Sequence, residues 1–254
     1  MLLALDVGNT NTTVGVFEGK ELRVHWRLST RRDGTGDEYG MLISNLLQLA
    51  GLELSQISAI ILASVVPPLQ SSLEEMAHRY FRIEPLVVGQ GIKIGMPILY
   101  DSPREVGADR IVNAVAAFEV YGGPAIVVDF GTATTFDAVS AKGEYLGGVI
   151  APGIGIAAEA LFERTAKLPR IDIAKPNTVV GKTTVASMQS GLFFGYLGLV
   201  EGIVMRMREE MGGDPVVIGT GGLAHLILAE SPSIKHVDSL LTLTGLRILY
   251  DRNL

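Results

Sequence analysis

Two short stretches combine a carboxylate, a glycine and a run of small hydroxyl or amide side chains. DVGNTNTT at residues 6–13 follows the apolar LLAL, and DFGTATTFD at 129–137 follows AIVV. An Asp at the end of a buried strand can hold Mg2+, directly or through water, beside phosphate oxygens. A glycine turn lets those oxygens approach backbone N–H groups, and Thr or Asn side chains can add donors. The competing reading is an ordinary hairpin whose Thr and Asn satisfy their own turn while Asp6 caps it. Laid over one another at an offset of 123 residues, the stretches match Asp6 with Asp129, Gly8 with Gly131, Thr12 with Thr135 and Val16 with Val139. The shared order of apolar run, Asp, Gly, hydroxyl cluster and apolar run argues for internal duplication.

A third carboxylate, Asp109, lies in SPREVGADRIVNAVAAF. Ser102-Pro103-Arg104-Glu105 spells a capping box with proline at the first helical position, which predicts a helix from there to about Tyr121, closed by Gly122-Gly123. On that helix Glu105, Asp109 and Asn113 would form a polar stripe opposite Val112, Val115 and Ala116. From the residues alone, Asp109 reads as a surface carboxylate paired with Arg110. Two other glycine-rich stretches are weaker. GKTT at 181–184 imitates the end of a P-loop, but Pro176 stands where that motif needs glycine. GIGIAA at 153–158 fits a dinucleotide fingerprint, yet a duplicated meander precedes it where a first strand should stand.

The elements that must position these residues follow from periodicity. Leu2 to Val7, Thr12 to Phe17 and Leu22 to Leu28 read as an antiparallel meander. Thr35 or Asp37 caps a helix with Met41, Leu42, Leu46, Leu47 and Leu49 on one face, ended by Gly51. Ala59 to Val66 is a buried strand, Pro67-Pro68 starts a helix through about Tyr80, and Leu86 to Val88 is a short strand. After the second meander come helices from Ile156 to about Ala166 and from about Val185 to Met211. VVIGTGGLAHLI reads as strand, glycine turn and helix. No low-complexity linker separates the halves, which predicts a shared interface with a cleft.

The 254 residues are 48% hydrophobic and 19% charged, which fits a soluble globular protein of one large domain or two smaller ones. A net charge of −6 and a pI near 5.3 give no global field for nucleic acid or anionic lipid. Cysteine is absent, which excludes disulfides and thiolate chemistry and fits a reducing cytosol. The first apolar stretch stops at Asp6 without a basic flank, and Gly191 to Val200 is about half a membrane span. The expectation is a cytoplasmic protein with no membrane or nucleic-acid partner. His25, His78, His225 and His236 show no metal-ligand spacing.

Duplicated strand-turn-strand units with an Asp and a glycine-rich turn resemble the actin, hexokinase and Hsp70 superfamily. That implies an α/β fold of two RNase H-like, actin-like ATPase domains with mixed sheets, at 1–118 and 119–254, and a cleft for ATP between them. GTGG at 219–222 is placed like the superfamily's adenosine-contacting turn. More narrowly, DVGNTNT (6–12), GADR (107–110), DFGTATTFD (129–137), GEYLGGVIAPG (143–153) and GKTTVASMQSG (181–191) resemble type III pantothenate kinase in pattern and order.

That resemblance implies ATP-dependent phosphorylation of pantothenate to 4'-phosphopantothenate, the first step towards coenzyme A, with Mg2+ and a monovalent cation, K+ or NH4+. It implies Asp109 as the base. Asp6, Val7, Gly8, Asn9, Thr10, Asn11, Thr12 and Thr13 would form the first phosphate turn, and Thr132 would touch ATP from the second. Tyr100, Gly107, Ala108, Asp109, Arg110 and Thr184 would contact pantothenate, with Arg110 as a fork for its carboxylate. Asp129 would be the cation ligand. It also implies a homodimer, to which the small residues Gly191, Gly195, Gly198 and Gly202 could contribute; packing within one chain is the other use for that stripe. Another small-molecule kinase, a protein-binding regulator and an actin-like filament former are the competing functions.

Overall fold

Ten strands form two five-stranded sheets in this computed structural model, which describes residues 1–89, 91–222, 224, 227 and 230–254. In the first sheet β1 (Leu2–Val7), β2 (Asn11–Glu18) and β3 (Glu21–Ser29) form the antiparallel meander, and β4 (Ala59–Ser64) and β5 (Leu86–Val87) add in parallel on the other side of β1. The order is β3-β2-β1-β4-β5. The second sheet repeats it with β6 (Ala125–Phe130), β7 (Ala133–Val139), β8 (Tyr145–Pro152), β9 (Val216–Thr220) and β10 (His236–Val237), in order β8-β7-β6-β9-β10. Strand senses are the same in both. The duplication read from the sequence is therefore a duplication of topology.

The register corrects the overlay by one residue. Val7 pairs with Thr12, whereas Phe130 pairs with Thr134, so the second turn is one residue shorter. Past the turn the equivalent positions lie 122 residues apart: Thr12 matches Thr134, and both are fully buried. Register shifts at Val16/Phe17 and Ala138/Val139 keep the same offset. A bulge retained in both copies marks it as part of the architecture.

Among the described residues the sheets are flanked by α1 (Gly36–Leu49), α2 (Pro67–Met76), α3 (Ala108–Tyr121), α4 (Ile154–Glu163), α5 (Thr184–Met211) and α6 (Leu241–Arg252). Thr35 caps α1 in a capping box with Glu38. The face α1 buries is not the expected one. Gly36, Tyr39, Gly40, Ile43 and Leu47 are buried, while Met41, Leu42 and Leu49 are exposed. The reason is tertiary: a Cβ on Gly40 would lie 2.6 Å from the Tyr80 ring, so the glycine face is the one that can approach the neighbouring helix. Tyr80 lies in a π-helical turn (Ala77–Phe81) that prolongs α2 and ends at Arg82, whose φ is +57°.

Contacts divide the chain into two compact units: residues 1–96, 101–116 and 240–254, and residues 97–100 and 117–239. The sequence boundary at 118/119 follows the repeat; the unit boundaries place α6 with the first sheet, where Leu243 packs on Gly15 of β2. In the first unit Leu3, Leu5, Val14 and Val16 meet Ile43, Leu47, Leu69 and Leu73 on one face of the sheet. In the second, Ile126, Val128, Phe130 and Phe136 meet Phe193, Tyr196, Val200 and Val204 of α5. Among the described residues α5 is the helix long and apolar enough to cross a membrane, and these residues put one of its faces in the second core.

Candidate functional site

In the first unit β1 and β2 hold the turn that carries Asp6 to Thr13. Asp6 is half-buried opposite Thr13, the Gly8 N–H donates to the Asn11 carbonyl at 3.0 Å, and a Cβ on Gly8 would sit 3.0 Å from that same oxygen. Thr30, at the end of β3, locks the turn. Its hydroxyl donates to the Gly8 carbonyl at 2.8 Å, and its N–H donates to the Thr10 carbonyl at 2.9 Å. Because its one proton goes to Gly8, the 2.9 Å contact with Thr12 is Thr12 donating to Thr30. Arg32 donates to the Asn9 side chain at 3.1 Å. Thus the buried Thr12 and Val7 serve as scaffold, while Asn9 and Thr10 stand exposed on the turn. Sequence reasoning missed Thr30 because its role depends on pairing β3 to β2. Thr30→Val leaves the Gly8 carbonyl and the buried Thr12 hydroxyl short of a partner; a loss of about 1–3 kcal/mol is expected in urea unfolding.

Asp109 sits in the first turn of α3 and not in mid-helix. The expected capping box at Ser102 does not form: Pro103–Glu105 is a separate 3-10 turn, Ser102 makes no side-chain cap, and Val106 is extended. Glu105 is therefore off the helix and the predicted polar stripe is broken. Asn113 is buried and accepts from Thr242 of α6 at 2.7 Å. What GADR builds instead is a folded-back carboxylate. Asp109 Oδ1 accepts from the Arg110 N–H at 2.8 Å, and any Cβ on Gly107 would lie 2.6 Å from it. Glycine is needed there because the carboxylate occupies that space. Burial pushes the Asp109 carboxyl above the ordinary carboxylate value, and the amide and guanidinium of Arg110 oppose that rise. Arg110 itself is buried, not the exposed partner of a surface pair.

In the second unit Asp129 is the penultimate residue of β6, beside Thr220 of β9 and opposite Thr135 of β7. The GTGG turn closes on it: Gly221 has φ +93°, and a Cβ there would be 2.5 Å from Asp129 Oδ1 and 2.7 Å from the Phe130 nitrogen. Thr132 is exposed on the turn. Gly153, the N-cap of α4, lies so close to the carbonyls of Gly131 and Thr132 that a side chain would overlap them. Behind this turn the Tyr196 hydroxyl bonds to Thr134, and burial raises its pKa. The helix expected after GTGG falls partly on Leu223, His225, Leu226, Leu228 and Ala229, which lie outside the described residues.

A carboxylate with Thr135 and Thr220 as its ladder partners offers the oxygen-donor chemistry that suits a hard cation such as K+ or a hydrated Mg2+. Among the described residues no three His, Asp or Glu side chains cluster, so other ligands would be carbonyls, hydroxyls, water or nucleotide. Thr184 opens α5, exposed, after Thr183 caps the helix; GKTT is thus a helix start. Thr184 lines an apolar groove of about 490 Å³ with Ala157, Leu161, Leu168, Met188 and Leu192. Tyr100 lies near Tyr145 of β8, ring centroids 6.4 Å apart.

Comparison with known proteins places the chain in a family. The sequence matches the profile of type III pantothenate kinases over residues 2–206. It is 59% identical to the type III pantothenate kinase of Moorella thermoacetica over 253 residues, covering 100% of both chains. Among solved structures it resembles a Campylobacter jejuni protein assigned to the Baf family of transcriptional activators, with TM-score 0.63, 19% identity, and 99% and 98% of the two chains covered. It also resembles the ROK hexokinase from Thermus thermophilus, with TM-score 0.51, 14% identity and 98% and 97% coverage. These two likenesses show the fold, a duplicated actin- and hexokinase-like α/β architecture. The profile and the full-length identity show more: the chain belongs to the type III pantothenate kinase family, whose activity is phosphorylation of pantothenate in coenzyme A biosynthesis.

Proposed function

We propose that this chain transfers the γ-phosphoryl group of ATP to the 4'-hydroxyl of pantothenate, with Asp109 as the general base. One observation carries the assignment. Asp109 is a half-buried carboxylate pinned by its own helix start, with its pKa raised by burial, in the GADR segment that the family resemblance ties to substrate. As the hydroxyl oxygen forms its bond to phosphorus and the bond to ADP breaks, the hydroxyl proton passes to the Asp109 carboxylate. Burial favours that transfer, because a carboxylate with a raised pKa is the better proton acceptor. Buried Arg110 can hold the pantothenate carboxylate with a bidentate fork, and Gly107, Ala108, Tyr100 and Thr184 are further substrate contacts.

Asp6, Gly8, Asn9, Thr10, Asn11 and Thr13 of the first turn, and Thr132, are the proposed phosphate contacts, with the buried Val7 and Thr12 as scaffold. Asp6 would hold Mg2+ and Asp129 a K+ or NH4+ ion, each supplying positive charge against the phosphate oxygens. The glycine exclusion around Asp129 supports a built site at that position. The glycine stripe of α5 supports a homodimer: a Cβ on Gly191, Gly195 or Gly198 would meet nothing within 4 Å, so this chain leaves the stripe open. A cytoplasmic location follows from the metabolic role. With K+ or NH4+ replaced by Na+, kcat is expected to fall at least about tenfold. The pH profile supplies a second check. An ionised Asp109 is required, so kcat/KM rises with pH through a group titrating above the ordinary carboxylate range. An acidic limb at or below that range would contradict the assignment.

A further inference from the structure

The DFGTATTFD motif ends in Asp137, to which neither the phosphate turn nor the proposed base gives a role. Asp137 lies on β7 with its side chain fully buried. Two hydroxyls donate to it: Tyr145 to Oδ1 at 2.7 Å, and Thr135 to Oδ2 at 3.2 Å. A buried carboxylate is costly unless hydrogen-bonded, and both oxygens are engaged.

Tyr145 is the more consequential partner. It too is fully buried, and it binds the segment Pro97–Tyr100 three ways. Its N–H donates to the Pro97 carbonyl at 2.9 Å, and its carbonyl accepts from the Leu99 N–H at 2.8 Å, forming a parallel bridge opposite Ile98. Its ring stands at 52° to the Tyr100 ring. Tyr100 also lies over Gly147, where a Cβ would be 3.6 Å from the ring. Tyr100 is 37% exposed, so its far side is open. A short segment without secondary structure of its own is thus tied to β8 at one residue, and that residue's side chain is tied to Asp137.

We propose that Asp137 is a positioning residue for the acceptor substrate, acting through the Tyr145 hydroxyl to fix the strand-like segment that presents Tyr100. The proposal rests on the reading of Tyr100 as a pantothenate contact. Asp137 touches neither substrate nor reacting atoms in this role. Removing the Tyr145 hydroxyl frees the ring to shift and loosens both backbone bonds to 97–99. Asp137→Asn keeps an acceptor for Tyr145 but puts an N–H2 group opposite the Thr135 hydroxyl, which weakens the same anchor from the other end.

Tyr145→Phe and Asp137→Asn, each with both substrates varied in turn, test it. The KM for pantothenate is expected to rise about 5- to 20-fold, with the KM for ATP within about twofold and kcat within about threefold. In a Tyr100→Ala background, either change should add less than about twofold, because its route is already cut. Hydrogen exchange at 97–100 should quicken at least about fivefold while β6 stays protected. An active wild type whose variants keep the pantothenate KM, or raise both KM values alike, overturns the proposal. Failure of the wild type to phosphorylate pantothenate would sink the functional reading instead. Unchanged exchange at 97–100 sinks the anchor whatever the substrate.

Discussion

Asp109→Asn is expected to lower kcat by about two to four orders of magnitude while leaving the fold intact. The amide is nearly isosteric, and its Oδ1 can still accept the Arg110 N–H that holds the wild-type carboxylate at 2.8 Å. It does not take a proton at neutral pH, which is the property the proposed base needs. The KM for both substrates should change little, since the loss falls on the transition state. Stability separates this from unfolding. Burial holds the Asp109 carboxyl above its ordinary value, so the folded state prefers it protonated. The stability this gives is present at low pH and is lost as pH rises from the unfolded pKa through the higher folded one. Asn never ionises, so the variant should melt at or above the wild-type temperature at pH 7. A variant of full activity would remove Asp109 from the mechanism.

Gly221→Ala is expected to have the second-largest effect, on stability and on the nucleotide end together. Its φ of +93° is unfavourable for any residue with a Cβ, which costs about 1–2 kcal/mol. The added methyl would also meet Asp129 Oδ1 and the Phe130 backbone at 2.5–2.8 Å. Those atoms cannot yield easily, because β6 and β9 are laddered from Ala125↔Val216 to Asp129↔Thr220. Overpacking of this kind adds about 1–3 kcal/mol, so a total loss of about 2–5 kcal/mol should appear in denaturant melts. The added methyl should push the carboxylate from its seat, and the proposed K+ stimulation should weaken with it. Gly155→Ala is the control: nothing lies within 4 Å of a Cβ there, and stability should hold or rise slightly. Equal behaviour of the two variants would mean that the turn does not press on Asp129.

How much of this was legible in the sequence depended on whether the cause was local. The hairpins at Asp6 and Asp129 were, because apolar run, Asp-x-Gly and hydroxyl cluster are neighbours in sequence, and the repeat made the pattern visible twice. The one-residue difference between their turns was not, since an ungapped overlay cannot show which strand pair absorbs it. The capped start of α1 at Thr35 was local and legible. Its buried face was not, because the ring of Tyr80, 40 residues on, selects the face with Gly36 and Gly40 over the one with Met41 and Leu42. Ser102-Pro103-Arg104-Glu105 carried a capping signal that Val106 and Gly107 override by breaking the helix before Ala108. The locks on the candidate site, Thr30 on Gly8, Gly221 on Asp129 and Asp137 on Tyr145, are pairings between strands or between a strand and a turn. Only the fold brings those partners together.

The most direct test of the account is to incubate the purified chain with ATP, Mg2+, K+ and pantothenate, and to identify the products by mass spectrometry. The account predicts ADP and 4'-phosphopantothenate in equal amounts, with no phosphorylated product when a sugar such as glucose replaces pantothenate. ADP without phosphopantothenate, or phosphorylation of the sugar instead, would contradict it.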